Sequence, residues 1–303
     1  MTTPERLNYS HLVESSLASA GADPSARNLA SESISISFWE IDSKGVVTSK
    51  GKFAPHTPMV PASIVKLFYL VALQHDFSTG KLHRTHELER AMRDMIRDSS
   101  NDATSLVVDT LTETTGGPEL SEAELRDWMA RRNRVNLWFK LLGFTDINVN
   151  QKTWNEAPYG RERQGYGPNF ELRNSLNTHA CNELWYRLLS GSLLPPVELE
   201  ATLDLLRRSV PVDDESADYQ SRAFIGKALP SGATLYSKAG YITTERHDSA
   251  YIVMPDHRRF ILTVFTRGFG DNLELIPQLA GACFRAVGYE SPLLSRGSDF
   301  ETK

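Results

Sequence analysis

From Ser33 the chain alternates strictly, with Ile34, Ile36 and Phe38 set against Ser33, Ser35 and Ser37. A period of two predicts a half-buried strand, turned over Asp42 to Gly45 into a second strand. Residues 5–20, upstream, carry a looser helical pattern. From Ser63 the period lengthens to that of a helix in SIVKLFYLVALQHDF. Thr85 reads as the N-cap of THELERAMRDMI, whose Leu88, Met92, Met95 and Ile96 share one face; Asp102 reads as the cap of ATSLVVDTL, and Ser121 with Glu124 forms a capping-box pattern. Between about Asn150 and Asn177 the pattern lapses into a long loop rich in Gly, Asn and Pro. Helix resumes in ACNELWYRLLSG, strands return at TLYSKAGYI, SAYIVMP and RRFILTVFT, and a last helix is predicted from Ile276 to Val287.

Strands at both ends of a helical middle predict an α/β (α+β) fold. The expected architecture is an antiparallel sheet built from residues 1–60 and 215–303, flanked by N- and C-terminal helices, with an all-helical domain over 61–214 and the active site between them. With 303 residues, 40% hydrophobic and 23% charged, the chain is long enough to bury a deep core without disulfides. Its net charge of −5 and the shortness of its longest basic cluster, Arg131, Arg132 and Arg134, argue against a nucleic-acid partner; the cluster reads as a solvated helix face. No apolar run approaches membrane-spanning length, so no membrane partner is expected. No basic n-region and apolar h-region open the chain, so it reads as cytoplasmic as it stands, and as periplasmic or secreted if a signal has been removed. Cys181 and Cys283 read as core thiols and His83 and His86 as a surface pair; neither set has metal-ligand spacing, and no cofactor is expected.

Ser63 and Lys66 stand three apart at a helix start, which places hydroxyl and amine on one face. A lysine in a dry pocket loses its proton readily and is then able to activate a serine nucleophile, while the helix start offers backbone N–H groups to an oxyanion. Ser99 and Asn101 lie just before the next helix, in a loop that could aim a hydroxyl and a carboxamide into a cleft. Tyr236, Lys238 and Gly240 share one face of a strand by period two. A cation there can hold a substrate carboxylate, and Gly240 allows close approach of a ligand to the strand.

In this order and spacing, the hairpin, Ser63-x-x-Lys66, Ser99-x-Asn101, the long loop and Lys238-x-Gly240 resemble the penicillin-recognising serine hydrolases, particularly class A β-lactamases. The resemblance runs from about Ile34 to Val287 and implies a β-lactamase/transpeptidase-like fold. It also implies a serine hydrolase that opens an amide through an acyl-enzyme, with β-lactams as substrate class. Ser63 is then the acylated nucleophile and Lys66 its base. Ser99 relays a proton to the leaving nitrogen, Asn101 binds the substrate's side-chain amide, and Lys238 attracts its carboxylate. The N–H groups of Ser63 and Tyr241 form the oxyanion hole.

The chain departs from the family pattern at three places. Ser100 stands where β-lactamases usually carry Asp, and Ala239 lacks the hydroxyl that normally shares the carboxylate contact; Arg246 could replace it as anchor, with His247 beside it near the cleft edge. The usual Glu-x-x-Leu-Asn of the loop is absent. Glu156 fits the deacylating role by its Trp and Pro neighbours, Glu162 by distance to Thr178 and Glu171 by local context, with Glu156 preferred. The alternatives are an amidase of the glutaminase kind or an acyltransferase acting on a non-antibiotic amide or ester, or a β-lactam-binding sensor that does not turn over.

Overall fold

The computed structural model describes residues 7–8, 10–11, 13–14, 32–210 and 219–292. The helix expected over residues 5–20 lies largely outside them, as does the expected domain boundary at 214/215. The chain forms two compact units. One contains the segments up to Thr57, Asn177–Ser190 and from Arg207 onward; the other is Pro58–Leu176 with Gly191–Leu206.

The first unit is built on a mixed sheet. Its strands are β1 (Leu7–Asn8), β2 (Ile34–Ile41), β3 (Val47–Phe53), β4 (Arg207–Arg208), β5 (Thr234–Tyr241), β6 (Glu245–Val253) and β7 (Arg259–Arg267), in the order β1-β3-β2-β7-β6-β5-β4. Every pairing is antiparallel except the short β1 against β3. Ile34, Ile36 and Phe38 face an apolar core shared with Leu262, Val264, Ala250 and Leu235, and with Leu279, Cys283 and Phe284 of the helix Leu275–Ala286. Period-two alternation located this face correctly.

The opposite face corrects the half-buried reading of β2. Ser35 and Ser37 are fully buried, not solvated. Both hydroxyls meet Thr178 Oγ1, at 2.8 and 3.0 Å, and Asn182 Nδ2 donates to the Ser37 and Ile261 carbonyls. Trp185 Nε1 donates to Ser249 Oγ at 3.0 Å. These partners all come from the helix Thr178–Leu189, capped by Asn177, which therefore belongs with the sheet and not with the helical block 61–214. Small hydroxyls look like solvent-facing residues in a pattern, but buried ones are tolerated where each finds a partner.

The second unit is helical, with Val65–Ser78 at its centre. That helix is buried almost all round, including Lys66, Gln74 and Asp76, and packs against His86–Arg97, Asn101–Thr112 and Pro196–Leu206. Thr85 caps His86–Arg97 through Leu88 N, and Leu88, Met92, Met95 and Ile96 are all buried. The capping box of Ser121 and Glu124 opens Glu122–Arg132. Of the basic cluster only Arg131 is exposed: Arg132 is fully buried on Glu162, and Arg134 reaches Asp76 and the Leu111 carbonyl. No helix among the described residues is long and apolar enough to cross a membrane.

Candidate active site

Ser63 sits in a 3-10 turn, Ala62–Ile64, that runs straight into Val65–Ser78. Ala62 before it is left-handed, at φ 47°. A non-glycine residue held there costs about 1–3 kcal/mol and persists only where its surroundings enforce it. The turn leaves Ser63 partly exposed while Lys66, in the first turn of the helix, is fully buried.

Lys66 Nζ donates to the Ser99 carbonyl at 2.6 Å, to Ser99 Oγ at 3.2 Å and to Asn101 Oδ1 at 2.8 Å. These partners are a carbonyl, a hydroxyl and an amide oxygen, none carrying a full charge. Burial is therefore not offset, and it brings the amine down from its ordinary value to about 7. The structure thus unites three of the predicted residues, Lys66, Ser99 and Asn101, around one nitrogen, on the helix that begins just after Ser63.

The second motif is aimed by its backbone. Ser99 is left-handed at φ 56°, which turns its carbonyl and hydroxyl toward Lys66. Ser100, not Asp102, is the N-cap of Asn101–Thr112, its Oγ accepting from Ala103 N at 3.1 Å. Ser and Asp are near-equivalent caps, so the departure from the family's Asp leaves this local architecture in place. A cap position earlier by two residues also makes Asn101 the first residue of the helix.

The three loop glutamates separate clearly. Glu162 is buried in the short helix Gly160–Gly165, within a cluster of Arg132, Lys152 and Asp109. Burial opposes its charge, but Arg132 and Lys152 outweigh that and hold its carboxyl below the usual range. In Asp109, burial wins over the same cations and raises it. Glu171 is exposed and accepts from Asn169 N, closing a turn. Glu156 is exposed, next to Asn155, whose Oδ1 accepts from Asn101 Nδ2 at 2.7 Å. Asn155, which no motif marks, is thus a loop side chain in contact with the Lys66 cluster.

The third motif lies on β5 of the sheet unit. Lys238 is fully buried, its Nζ donating to Gln220 Oε1 and to the Ala239 carbonyl, both at 2.6 Å. Gly240 is buried opposite His247, and Tyr241 is 53% exposed at the strand end. Ala239 points to the other face, into the apolar core, directly across from Asp248. Arg246 is not at an exposed edge. It is buried beneath Phe224, Tyr219 and Tyr241, with bonds to Gly270 O, Ala223 O and Tyr219 Oη, and is placed to brace the strand end from inside. His247 is likewise buried, its Nδ1 accepting from Thr266 N.

Gln220 and Asp248 escaped the sequence reading. The strand β6 starts at Glu245, and the run Glu-Arg-His-Asp before Ser249 looks like a polar turn although all four are buried. Asp248 accepts from Ile225 N and Ser249 N, yet burial pushes its carboxyl up to about 7.

A profile of the Beta-lactamase enzyme family matches residues 26–287, while no curated protein sequence matches the chain. Among solved structures, PBP-A is similar at 20% identity and a TM-score of 0.66, over 94% of this chain and 99% of that one. A mutant of PBP-A, solved as its acyl-enzyme complex with penicillin G, is similar at 19% identity and a TM-score of 0.66, over 94% and 99%. A β-lactamase from Sphaerobacter thermophilus DSM 20745 is similar at 18% identity and a TM-score of 0.64, over 91% and 95%. At these identities the likeness concerns the fold.

Proposed function

Because this chain belongs to the Beta-lactamase enzyme family, we propose that it is a serine hydrolase that opens a cyclic or linear amide, β-lactams included, through an acyl-enzyme on Ser63. The observation that carries this reading is the buried Lys66 amine, held by uncharged oxygens and brought to about 7 by burial. At neutral pH a large share of it carries a lone pair.

In acylation the Ser63 hydroxyl gives its proton to that lone pair while Oγ bonds the substrate carbonyl carbon. The oxyanion is received by the backbone N–H of Ser63 at the helix start. As the C–N bond breaks, the nitrogen keeps the electron pair and takes a proton through Ser99, which shares Lys66 with Asn101. Asn101 Nδ2 serves the substrate's side-chain amide. Water then attacks the ester. Glu162 is bound by Arg132 and Lys152 and Glu171 closes a turn, so Glu156 is the loop carboxylate assigned to activate that water.

PBP-A's mutant is acylated by penicillin G, which makes this compound the first probe. Intact-mass measurements over time should show an adduct of its full mass, mapped to Ser63, that decays by hydrolysis and persists at least tenfold longer in Glu156→Gln. An adduct on another serine would overturn the nucleophile; an unchanged lifetime would remove Glu156.

A further inference from the structure

Asn101 uses both ends of its carboxamide. Its oxygen accepts from Lys66 Nζ at 2.8 Å, and its nitrogen donates to Asn155 Oδ1 at 2.7 Å. The sense of both amides follows from the lysine. An ammonium only donates, so Asn101 turns its oxygen to Lys66 and its nitrogen to the loop, and Asn155 must answer with oxygen. A neutral amine also accepts. Once Lys66 has lost its proton, an unrestrained Asn101 is able to rotate by half a turn and donate Nδ2–H to the lone pair. That pair would then be engaged by Asn101 and lost to the Ser63 hydroxyl.

We propose that Asn155 is a positioning residue that locks the Asn101 carboxamide with its oxygen toward Lys66 in both protonation states, keeping the neutral amine's lone pair for Ser63. The inference rests on the acylation reading above. The two N–H bonds of a neutral amine are absorbed by the Ser99 carbonyl at 2.6 Å and Asn101 Oδ1 at 2.8 Å; the longer donation to Ser99 Oγ at 3.2 Å is the one given up with the proton, and the sense of the Asn101 amide decides whether Asn101 takes the lone pair. Asn155 is held for the task by its own segment: Lys152, three residues earlier, is buried on Asp109 at 2.7 Å and on Glu162 at 2.9 Å. Its oxygen is the feature that matters, and its charge must be zero, because a carboxylate here would stabilise the ammonium.

The test compares Asn155→Ala and Asn155→Asp in the full chain with two readouts: the pH dependence of Ser63 acylation by penicillin G, and an NMR titration of the Lys66 side chain. Alanine frees Asn101 to donate to the neutral amine, so the Lys66 midpoint should move down. The plateau rate above it should fall about fivefold, the scale of one net hydrogen bond. Aspartate keeps the acceptor but adds a negative charge, so the midpoint should move up with the plateau retained. Midpoints equal to wild type in both variants, or a rate lost evenly at every pH with the midpoint unmoved, would overturn the proposal. Should penicillin G leave Ser63 unmodified in the wild type, the hydrolase reading fails. The NMR titration then decides for Asn155 alone: opposite shifts in the two variants uphold the lock, and unmoved midpoints refute it.

Discussion

Arg132 holds Glu162 with both terminal nitrogens, Nη1 to Oε2 and Nη2 to Oε1, each at 2.8 Å. The guanidinium also lies 4.2 Å over Trp128 and donates from Nε to Thr114 Oγ1. A loop carboxylate gripped this way from the helix Glu122–Arg132 organises the loop. Lys152 Nζ adds a third contact, 2.9 Å from Oε1, so both carboxylate oxygens are bound to cations.

Glu162→Gln should therefore act on stability. It leaves Arg132 and Lys152 buried against Asp109 alone, and removing one partner of a buried ion cluster costs about 3–5 kcal/mol. Because the Glu162 carboxyl is held below its usual range, its contribution is present above the ordinary Glu value and disappears as pH falls through the depressed one. Urea unfolding should accordingly show wild type and variant far apart at pH 7 and converging in acid. A gap that persists unchanged into acid would mean that the charge of Glu162 is not what the cluster needs.

Lys66 presents the opposite sign. Its folded-state amine is lowered from 10.5 to about 7 by burial, so the stability linked to it is fully present above the unfolded value and is lost as pH falls through about 7. Lys66→Met, of similar length and no charge, should abolish acylation of Ser63. It should also stabilise the protein by about 1–4 kcal/mol at pH 6, the range found when buried charges give way to apolar groups. The gain should shrink as pH rises above 7. Acylation at the wild-type rate would make Lys66 structural only, and a destabilised variant would mean that its bonds to Ser99 and Asn101 outweigh its burial.

Hydrophobic periodicity made the sheet's core face, the helix Val65–Ser78 and the capped helices legible, because those elements are decided by local pattern. Ser63 with Lys66 and Ser99 with Asn101 were legible as two short spacings, and it was the order of the motifs, not any local pattern, that joined them across the 33 residues from Lys66 to Ser99. Arg246, Ser35 and Ser37 were misjudged for one shared reason: a polar side chain announces a preference for water but not the partner that lets it be buried. Asn155 and Gln220 carry no local signature at all; their contacts with Asn101 and Lys238 span 54 and 18 residues.

Ala239 shows how strand parity changes an inference about specificity. A hydroxyl at this position is attractive if the side chain faces a ligand, but Ala239 is 2% exposed and packs in the apolar core opposite Asp248. Ala239→Thr should therefore overfill a packed site and cost about 1–3 kcal/mol, without improving acylation by penicillin G. Thermal unfolding and acylation kinetics on the same preparation check both halves. A tenfold gain in acylation with stability unchanged would show that residue 239 reaches the substrate after all.

Asp248 gives the sheet its own pH dependence. The carboxyl is fully buried and raised from 3.8 to about 7, because desolvation exceeds the help of the Ile225 and Ser249 N–H groups and of the more distant Lys238 and Arg208. A raised carboxyl contributes stability that is complete below its unfolded value and is lost as pH rises through the folded one. Asp248→Asn removes the titration, though it turns one amide N–H toward a backbone donor and so shifts the whole curve by a constant. The difference between wild-type and variant unfolding free energies should then fall steadily as pH rises from 4 toward 7 and stay level above it. Taking that difference cancels Lys66, Glu162 and every other group common to both proteins. A difference independent of pH would mean that Asp248 is ionised throughout, and that its two backbone donors are strong enough to overcome complete burial.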